Sequence, residues 1–363
     1  MTAESSAYDP FSRGPHAVGV RTIEARDAER NRLFPVEIWY PAAPGHAGED
    51  LDDATRDSFA VPFGSPRRQS AVRDAAGNPG NHPLLVFSHH GGGPRRMATF
   101  LCTHLSSHGY VVAAMDHSEV VAPELARREL ETDEEKAARL NALIANRVPD
   151  VRFLLDRLLT GTPFDSEIRL DATRIGIVGH SFGGWTALAA VEVEPRVRAV
   201  VALAPAGASK RKPGIIPATL AFAWGRDVPT LYLVAENDAS LPLPGMHEIF
   251  DRTPATRRMV ILRRADHMHF MDNVEEMHEA VRKMPFSGEL AWLPKEMLPI
   301  AERCSGDDAH LFVRGLTLAH MDAVLRGLED ARRFLAGDIE GELARLGVQA
   351  LEYDGARSAL PPV

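Results

Sequence analysis

The sequence predicts an α/β protein whose core is a doubly wound, mostly parallel sheet. Two observations indicate this: short, wholly apolar runs recur along the chain, and amphipathic segments separate them. Runs that are apolar on both faces are typical of strands covered by helices on both sides, and strand–helix alternation with right-handed crossovers builds such a sheet. The six predicted strands are 84–87, 111–115, 175–178, 199–203, 231–234 and 259–262, and the predicted helices include 96–108, 151–159 and 181–191.

Elements at the two ends of the chain complete the predicted fold. Residues 18–20 and 35–40 are expected to form an N-terminal strand pair that ends at Pro41. The last long helix is expected over about 308–335, with room for a break. The length is compatible with one large α/β domain carrying insertions, so we interpret residues 1–363 as a single domain.

Three regions do not fit the alternation. Residues 43–82 are rich in Gly, Pro, Asp and Arg and are expected to form a surface excursion. Residues 118–147 carry a charged helical stretch, and residues 271–307 contain several Met and aromatic residues. The last two are candidate lid insertions that would cover an active site, and solvated packing helices are the alternative interpretation for 43–82 and 118–147.

Composition excludes several classes of function. The 363-residue chain has a formal net charge of −9 with acidic and basic residues interspersed, so no nucleic-acid partner is expected. Two cysteines, Cys102 and Cys304, are too few for a disulfide framework, and Cys102 lies in an apolar stretch where we expect it to be buried. The N-terminus has no secretory pattern, and no apolar run reaches the roughly 18 residues of a membrane span. We therefore expect a cytoplasmic protein in a reducing compartment, without stable membrane insertion.

The segment GHSFGG, residues 179–184, matches the pattern G-x-S-x-G. It follows one predicted strand and precedes one predicted helix, which is the setting of a nucleophile elbow in an α/β-hydrolase fold. A tight strand–helix crossing leaves no space for side chains at Gly179 and Gly183, and the strained turn exposes the hydroxyl of Ser181. We therefore predict Ser181 as the nucleophile.

A serine hydroxyl needs a base, and the base needs an orienting acid. In this fold the chain order is Ser, then Asp or Glu, then His. Asp238 and His267 each follow a predicted strand, so with Ser181 they come to one rim of the sheet. Glu236 is the alternative acid and His269 the alternative base, because each lies two residues from the preferred one. Asp266 is expected to be a surface turn residue.

An oxyanion hole is predicted from two backbone segments. One donor is expected to be the N–H of Phe182, directly after the nucleophile. The other is expected from the glycine-rich loop SHHGGG, residues 88–93, where Gly lets the backbone approach the substrate oxygen. Gly92 is the first choice and Gly91 the second, since two adjacent histidines leave the register open.

No cofactor or metal is expected. The pairs His89–His90 and His267-x-His269 are the candidate ligands, yet no H-E-x-x-H motif occurs and no Cys or carboxylate has a recognised ligand spacing.

Together these motifs resemble the platelet-activating factor acetylhydrolase (isoform II) and predicted dienelactone hydrolase-like group of α/β-hydrolases. The resemblance covers most of residues 16–270 and implies a serine esterase, with the pattern H-x-x-F favouring His267 as the base. The segments that carry it are 36–41 (VEIWYP), 83–89 (PLLVFSH), 109–113 (GYVVA), 150–156 (DVRFLLD), 179–184 (GHSFGG) and 267–270 (HMHF).

The resemblance has two departures. In the plasma acetylhydrolases the acid follows the strand after the nucleophile helix, whereas residues 203–206 (LAPA) offer no carboxylate here. The segment END, residues 236–238, is similar instead to that of bacterial polyester hydrolases and many dienelactone hydrolase-like proteins. True dienelactone hydrolases use a Cys nucleophile, while this chain has Ser181.

The function expected from the sequence is hydrolysis of a carboxylic ester through an acyl-enzyme, on short-acyl or lipid-like small molecules. Acyl transfer, lactone cleavage or amide cleavage by the same triad is one alternative, and a non-catalytic binding protein on a hydrolase scaffold is another. The segment from Met271 through Phe286, Trp292, Leu293 and Met297 is a candidate acyl pocket, with a Met-rich packing layer as the alternative. Oligomeric state is not readable from the sequence.

Overall fold

One eleven-stranded sheet runs through the computed structural model, which describes residues 8–61, 65–128, 130–161 and 168–355. Residues 1–7 and 356–363 of the predicted single domain lie outside the described residues. The strands are β1 (Val18–Asp27), β2 (Arg32–Pro41), β3 (Arg56–Phe59), β4 (Arg67–Arg73), β5 (Gly80–Ser88), β6 (Val111–Met115), β7 (Ile168–His180), β8 (Val197–Leu203), β9 (Thr230–Ala235), β10 (Arg257–Leu262) and β11 (Ala350–Tyr353). Their order across the sheet is β11-β10-β9-β8-β7-β5-β6-β2-β1-β4-β3.

Helices cover both faces of this sheet. They are α1 (Thr99–Ser107), α2 (Ser118–Val121), α3 (Asp133–Thr160), α4 (Phe182–Val193), α5 (Leu243–Arg252), α6 (Val274–Lys283), α7 (Leu293–Glu296), α8 (Gly306–Met321), α9 (Glu329–Ala336) and α10 (Ile339–Arg345). No helix among the described residues combines the length and the apolar character needed to cross a membrane.

The centre of the sheet is parallel. Strands β6, β5, β7, β8, β9 and β10 pair in parallel in that spatial order, and they are the six strands predicted from the apolar runs. The antiparallel pair of β1 and β2 is also confirmed. The predicted doubly wound, mostly parallel α/β fold is therefore confirmed. Since the carboxyl ends of parallel strands share one edge, the loops after β5, β7, β9 and β10 meet there.

Successive residues of the central strands enter two different cores. Leu84 and Val86 of β5 belong to the core under α3 and α4, whereas Leu85 and Phe87 belong to the core under α1 and α8. This alternation follows from the two-residue period of a strand. Every position is therefore apolar, which is the pattern that identified these strands.

The region 43–82 is more than the predicted surface excursion. It contains β3 and β4, and β4 pairs in parallel with β1, so the region extends the sheet at its edge. The sequence did not predict these strands because charged and polar residues predominate in them, as in the β4 sequence RRQSAVR.

Helix α3 joins two segments that the sequence separated. It runs without interruption for 28 residues across Pro149, and a capping box between Thr132 and Glu135 begins it. An interior proline costs a helix about 3 kcal/mol. On either side of it, Arg147 and Asp150 are completely buried and hydrogen bonded, and these contacts hold the helix at that point.

The helix expected over 308–335 contains the break that the pattern allowed. Helix α8 ends at Met321, a turn of wider helix spans Asp322–Arg326, and Gly327 has a φ of 65° before α9 begins. The carboxylate of Asp322 accepts hydrogen bonds from Tyr8 and Tyr110.

Candidate active site

Ser181 lies in the turn between β7 and α4. Its φ of 60° and ψ of −116° are a strained conformation for a residue with a side chain. A Cβ atom at Gly179 would lie 2.0 Å from the carbonyl oxygen of Gly183, and one at Gly183 would lie 1.9 Å from the carbonyl oxygen of Ser88. The turn therefore has the close backbone packing of a nucleophile elbow, and both glycines are sterically required.

His267 begins the 3₁₀ turn after β10, and Asp238 lies in the loop after β9. The Nδ1 atom of His267 is 2.6 Å from Oδ2 of Asp238. The other carboxylate oxygen of Asp238 accepts backbone N–H groups from Ser240 and Leu241, each at 2.8 Å. Its own loop thus fixes the carboxylate of Asp238, and this carboxylate orients the imidazole of His267.

Electrostatics favour the charged form of this imidazole. Burial alone lowers the pKa of His267, but the carboxylates of Asp238 and Asp266 outweigh burial and raise the pKa above its ordinary value of 6.5. Ser181 Oγ and His267 Nε2 are not joined by a hydrogen bond in this structure. In hydrolases without substrate this contact is often long and tightens when substrate binds.

The alternative acid and base have other partners. Glu236 pairs with Arg263 at 2.7 Å and accepts the backbone N–H of Arg264. His269 is fully buried, where Nδ1 lies 2.9 Å from Asp266 and Nε2 lies 3.2 Å from the carbonyl oxygen of Cys304. Neither side chain takes part in the His267–Asp238 pair.

The expectation that Asp266 is a surface turn residue is wrong. Its exposed fraction is 4%, and it caps the turn of His267 by accepting the backbone N–H of Met268. The same carboxylate lies 2.6 Å from Nδ1 of His278 on α6. The sequence did not predict this role because His278 is twelve residues away, on a helix whose packing cannot be inferred from a local pattern.

His180 is an unpredicted neighbour of the catalytic candidates. Its ring centre lies 4.6 Å from that of His267 and 5.5 Å from that of Phe270. Burial and the neighbouring His267 lower its pKa well below the ordinary value, so a neutral ring packs against the candidate base.

The glycine-rich loop after β5 lies against the residue that follows Ser181. A turn closes between His90 and Gly93 through a 3.0 Å backbone hydrogen bond, with Gly92 at a φ of 69°. A Cβ atom at Gly91 would lie 3.8 Å from the Phe182 ring, whereas one at Gly92 would meet nothing within 4 Å. The N–H of Gly92 lies 3.4 Å from a carboxylate oxygen of Glu119 and donates to it.

Sequence reasoning missed the side chain that holds this loop. Arg147 of α3 is completely buried and donates to the carbonyl oxygens of His89 at 2.8 Å and His90 at 3.0 Å. It also forms an ion pair with Glu119. A signal was present, because Arg147 occupies the same helix face as the buried residues Leu143 and Leu154.

A second Ser–His–Asp chain lies beneath the loop. Ser88 Oγ is 2.9 Å from His117 Nε2, and His117 Nδ1 is 3.2 Å from Asp150 Oδ2. All three residues are buried, with exposed fractions of 1% or less, so Ser88 cannot meet a substrate. Burial and the charge of Arg147 outweigh Asp150 and lower the pKa of His117, in contrast to His267. These three hydrogen-bonded residues therefore support the loop after β5 and do not form a second active site.

A cavity of about 1150 Å³ opens beside Phe182 and Gly91. Its walls come from residues 119–143, 209–217 and 287–290, so both segments expected as lids contribute to it. The candidate acyl-pocket residues Met271, Leu293 and Met297 are buried and do not line this cavity among the described residues. For Met271 the packing-layer interpretation fits, since it belongs to the core under α1 and α8.

Metal ligands are not gathered anywhere in the described part of the chain, where no group of three or more His, Cys, Asp or Glu side chains could hold an ion. His89 and His90 instead serve the loop, with His89 Nε2 accepting the backbone N–H of His117 at 3.0 Å.

Comparisons with known proteins show that this chain is similar to ester hydrolases. The family model described as platelet-activating factor acetylhydrolase, isoform II, matches residues 54–144. A platelet-activating factor acetylhydrolase of Gallus gallus is 24% identical, over 84% of this chain and 83% of that protein. The cutinase est1 of Thermobifida alba is 27% identical over 50% of this chain and 51% of its own length.

A solved structure extends the similarity to the fold. The ferulic acid esterase from Streptomyces cinnamoneus superposes with a TM-score of 0.60 at 28% identity, covering 86% of this chain and 92% of the esterase. The predicted resemblance to the isoform II platelet-activating factor acetylhydrolases and the α/β-hydrolase fold are both confirmed, and the likeness to dienelactone hydrolases stays a prediction.

Proposed function

From the premise that this chain is a carboxylic ester hydrolase of the α/β-hydrolase fold, related to the isoform II platelet-activating factor acetylhydrolases, we propose that it works through an acyl-enzyme on Ser181. The observation that carries the proposal is the strained Ser181 turn on the same sheet edge as the 2.6 Å His267–Asp238 pair. This is the arrangement that serine esterases require.

The proposed steps use only these side chains. His267 takes the proton of Ser181 as its oxygen attacks the ester carbonyl, and Asp238 stabilises the resulting imidazolium. Collapse of the tetrahedral intermediate expels the alcohol, which leaves with the proton from His267. His267 then activates a water molecule, which releases the carboxylic acid and restores Ser181.

The oxyanion is held by two backbone N–H groups in this proposal. Phe182 supplies the first. For the second we propose Gly91 in preference to Gly92, because the N–H of Gly92 already has the Glu119 carboxylate as acceptor. The choice is supported by the position of Gly91 beside Phe182, where an added Cβ atom would lie 3.8 Å from the Phe182 ring.

The proposed substrates are short-acyl or lipid-like esters, and residues 118–147 and 271–307 are proposed to flank their entrance. Support comes from the related proteins, which are named for acetyl, cutin and ferulic acid ester hydrolysis. The cytoplasmic location expected from the sequence stays a prediction.

The test is labelling with a fluorophosphonate probe together with a chain-length series of p-nitrophenyl esters. We expect the wild-type protein to be labelled and Ser181→Ala to remain unlabelled and inactive. Ser88→Ala is the matched control, since it removes a serine with similar partners that is fully buried. Labelling that survives in Ser181→Ala would refute the proposal.

A further inference from the structure

We propose that the cavity beside the candidate oxyanion hole binds esters that carry an anionic group remote from the reacting carbonyl. The proposal rests on the proposed esterase function and adds a substrate class to the same site. It is argued from the charge, the pairing and the apolar floor of the cavity.

The cavity adjoins the proposed oxyanion hole, although Ser181 and His267 themselves are not among its lining residues. Gly91 and Phe182 line it at one end, and it extends from there between α3 and the segment 209–217. Its volume of about 1150 Å³ is large enough for a ligand of drug size. A substrate whose carbonyl oxygen points to the N–H groups of Gly91 and Phe182 has this cavity beside it for the rest of its chain.

The walls of the cavity are positively charged, although the chain has a net charge of −9. Cationic side chains outnumber carboxylates by seven to four among the lining residues. The cations are Arg127, Arg128, Lys136, Arg139, Lys210, Arg211 and Lys212, and the carboxylates are Glu119, Glu131, Asp133 and Glu289. A concave surface of one sign attracts ligands of the opposite sign.

Internal ion pairs occupy most of the carboxylates. Glu131 forms a bidentate pair with Arg139 at 2.5 and 2.9 Å, and Glu289 pairs with Lys136. Glu119 is already engaged by the buried Arg147, which does not line the cavity. The excess of positive charge on the walls is therefore not neutralised from within.

Three of the lining cations, Arg127, Lys210 and Arg211, form no ion pair with a described residue, and the charge of Arg127 acts on the Glu131 carboxylate. Lys210 and Arg211 are exposed and form no ion pair with any residue that the structure describes. Their neighbour Lys212 pairs with Glu296 and lies 4.5 Å over the Trp292 ring, so it is held in place. Lys210 and Arg211 are thus exposed, unpaired cations on the cavity wall that can bind an anionic group.

Besides Glu119, which is paired with Arg147, the end of the cavity near Gly91 carries apolar side chains. Leu140 and Leu143 of α3 face the cavity with Ile215 and Ile216, and the side chain of Ile216 is in contact range of Gly91. Hydrocarbon therefore fits next to the reacting carbonyl and a charge fits farther out. The ligand that matches this arrangement is an amphiphilic ester ending in a carboxylate or a phosphate.

The experiment compares kcat/KM for p-nitrophenyl esters of ω-carboxy acids with those of uncharged acids of equal chain length. We expect a preference of about fivefold or more for the charged series, decreasing as ionic strength rises. In the double variant Lys210→Gln/Arg211→Gln the ratio of charged to uncharged kcat/KM should fall towards one. Arg169→Gln, an exposed cation at the opposite end of β7, is the matched control and should leave the ratio unchanged.

A second series of p-nitrophenyl esters carries an ω-phosphate in place of the ω-carboxylate. The series with the higher kcat/KM identifies which of the two anionic groups the cavity prefers. Equal kcat/KM for charged and uncharged esters would overturn this proposal, as would a preference that the double variant retains. In either case hydrolysis of the uncharged esters would leave the esterase proposal intact. Failure of every ester would refute the esterase proposal itself.

Discussion

The guanidinium carbon of Arg147 lies 4.4 Å from the centre of the Phe182 ring. The same guanidinium donates to the carbonyl oxygens of His89 and His90, the two residues before Gly91. One buried cation thus contacts both backbone segments that we propose as the oxyanion hole. We infer that Arg147 is a positioning residue, which sets the distance between the two N–H donors without touching substrate.

Replacing Arg147 should therefore have a larger effect on kcat, which should fall, than on KM. We expect Arg147→Lys to reduce kcat by about tenfold to a hundredfold, because an ammonium cannot reach both carbonyl oxygens with a planar fork. Steady-state kinetics on a p-nitrophenyl ester measure this effect.

Stability must be separated from positioning in this experiment. Removing the cation alone leaves the buried Glu119 carboxylate without its charged partner, at a cost of about 3–5 kcal/mol. The double variant Arg147→Met/Glu119→Gln removes both charges and serves as the second test. A folded double variant with unchanged kcat would contradict the positioning role.

The pH dependence of kcat/KM should report His267. The base must be neutral, and Asp238 raises the pKa of His267 above 6.5, so activity should be lost as pH falls through a midpoint above 6.5. In Asp238→Asn we expect kcat to fall by about 10⁴-fold and the midpoint to move to lower pH.

Glu236→Gln is the control for this pH profile. Glu236 pairs with Arg263 and lies in the same loop as Asp238, so its removal should leave the midpoint and kcat close to wild type. A larger loss in Glu236→Gln than in Asp238→Asn would reverse the assignment of the acid.

Substituting Gly183 should disrupt the elbow and the oxyanion loop together. In Gly183→Ala the new Cβ would meet the carbonyl oxygens of Ser88 at 1.9 Å and His89 at 2.7 Å. We expect a loss of about 1–3 kcal/mol or more in the free energy of unfolding, with loss of activity. Gly225→Ala is the matched control, because its Cβ would meet nothing within 4 Å. Equal denaturation midpoints for the two variants would rule out this account.

Asp266→Ala should destabilise the protein in a pH-dependent way. Burial alone raises the pKa of Asp266, but its hydrogen bonds to His269 and His278 outweigh burial and lower the pKa below 3.8. The contribution of Asp266 to the stability of the folded protein is therefore present above pH 3.8 and is lost on acidification. Burial lowers the pKa of His278, but Asp266 outweighs it and raises the pKa above 6.5, so this contribution is present below pH 6.5 and lost as pH rises through the folded pKa.

The difference in unfolding free energy between wild type and Asp266→Ala should therefore be largest between about pH 4 and 6.5, at about 3–5 kcal/mol. Urea denaturation at several pH values measures it. Asp266→Asn keeps an acceptor for the N–H of Met268 and should lose less. A pH-independent difference would exclude the His278 pair as its source.

Local sequence pattern was sufficient to predict the parallel strands and the strained turn at Ser181. Strands buried on both faces are continuous apolar runs, and the GHSFGG segment has glycines where the backbone contacts leave no space for a Cβ. The edge strands β3 and β4 were missed because a charged, half-exposed strand lacks that signal. The choice of Asp238 over Glu236 was consistent with position along the chain, but only the 2.6 Å contact with His267 supports it directly.

The sequence by itself determined the central sheet, the elbow around Ser181 and the chain order of the triad candidates, because each depends on residues close together in the chain. Tertiary structure alone decided what lies beneath and beside the site. Arg147 meets His89 and His90 across 58 and 57 positions of sequence, and Asp266 meets His278 on another helix. Such contacts arise when packing buries a charge and forces it to find a partner, and the partner is whichever polar group the fold brings within reach.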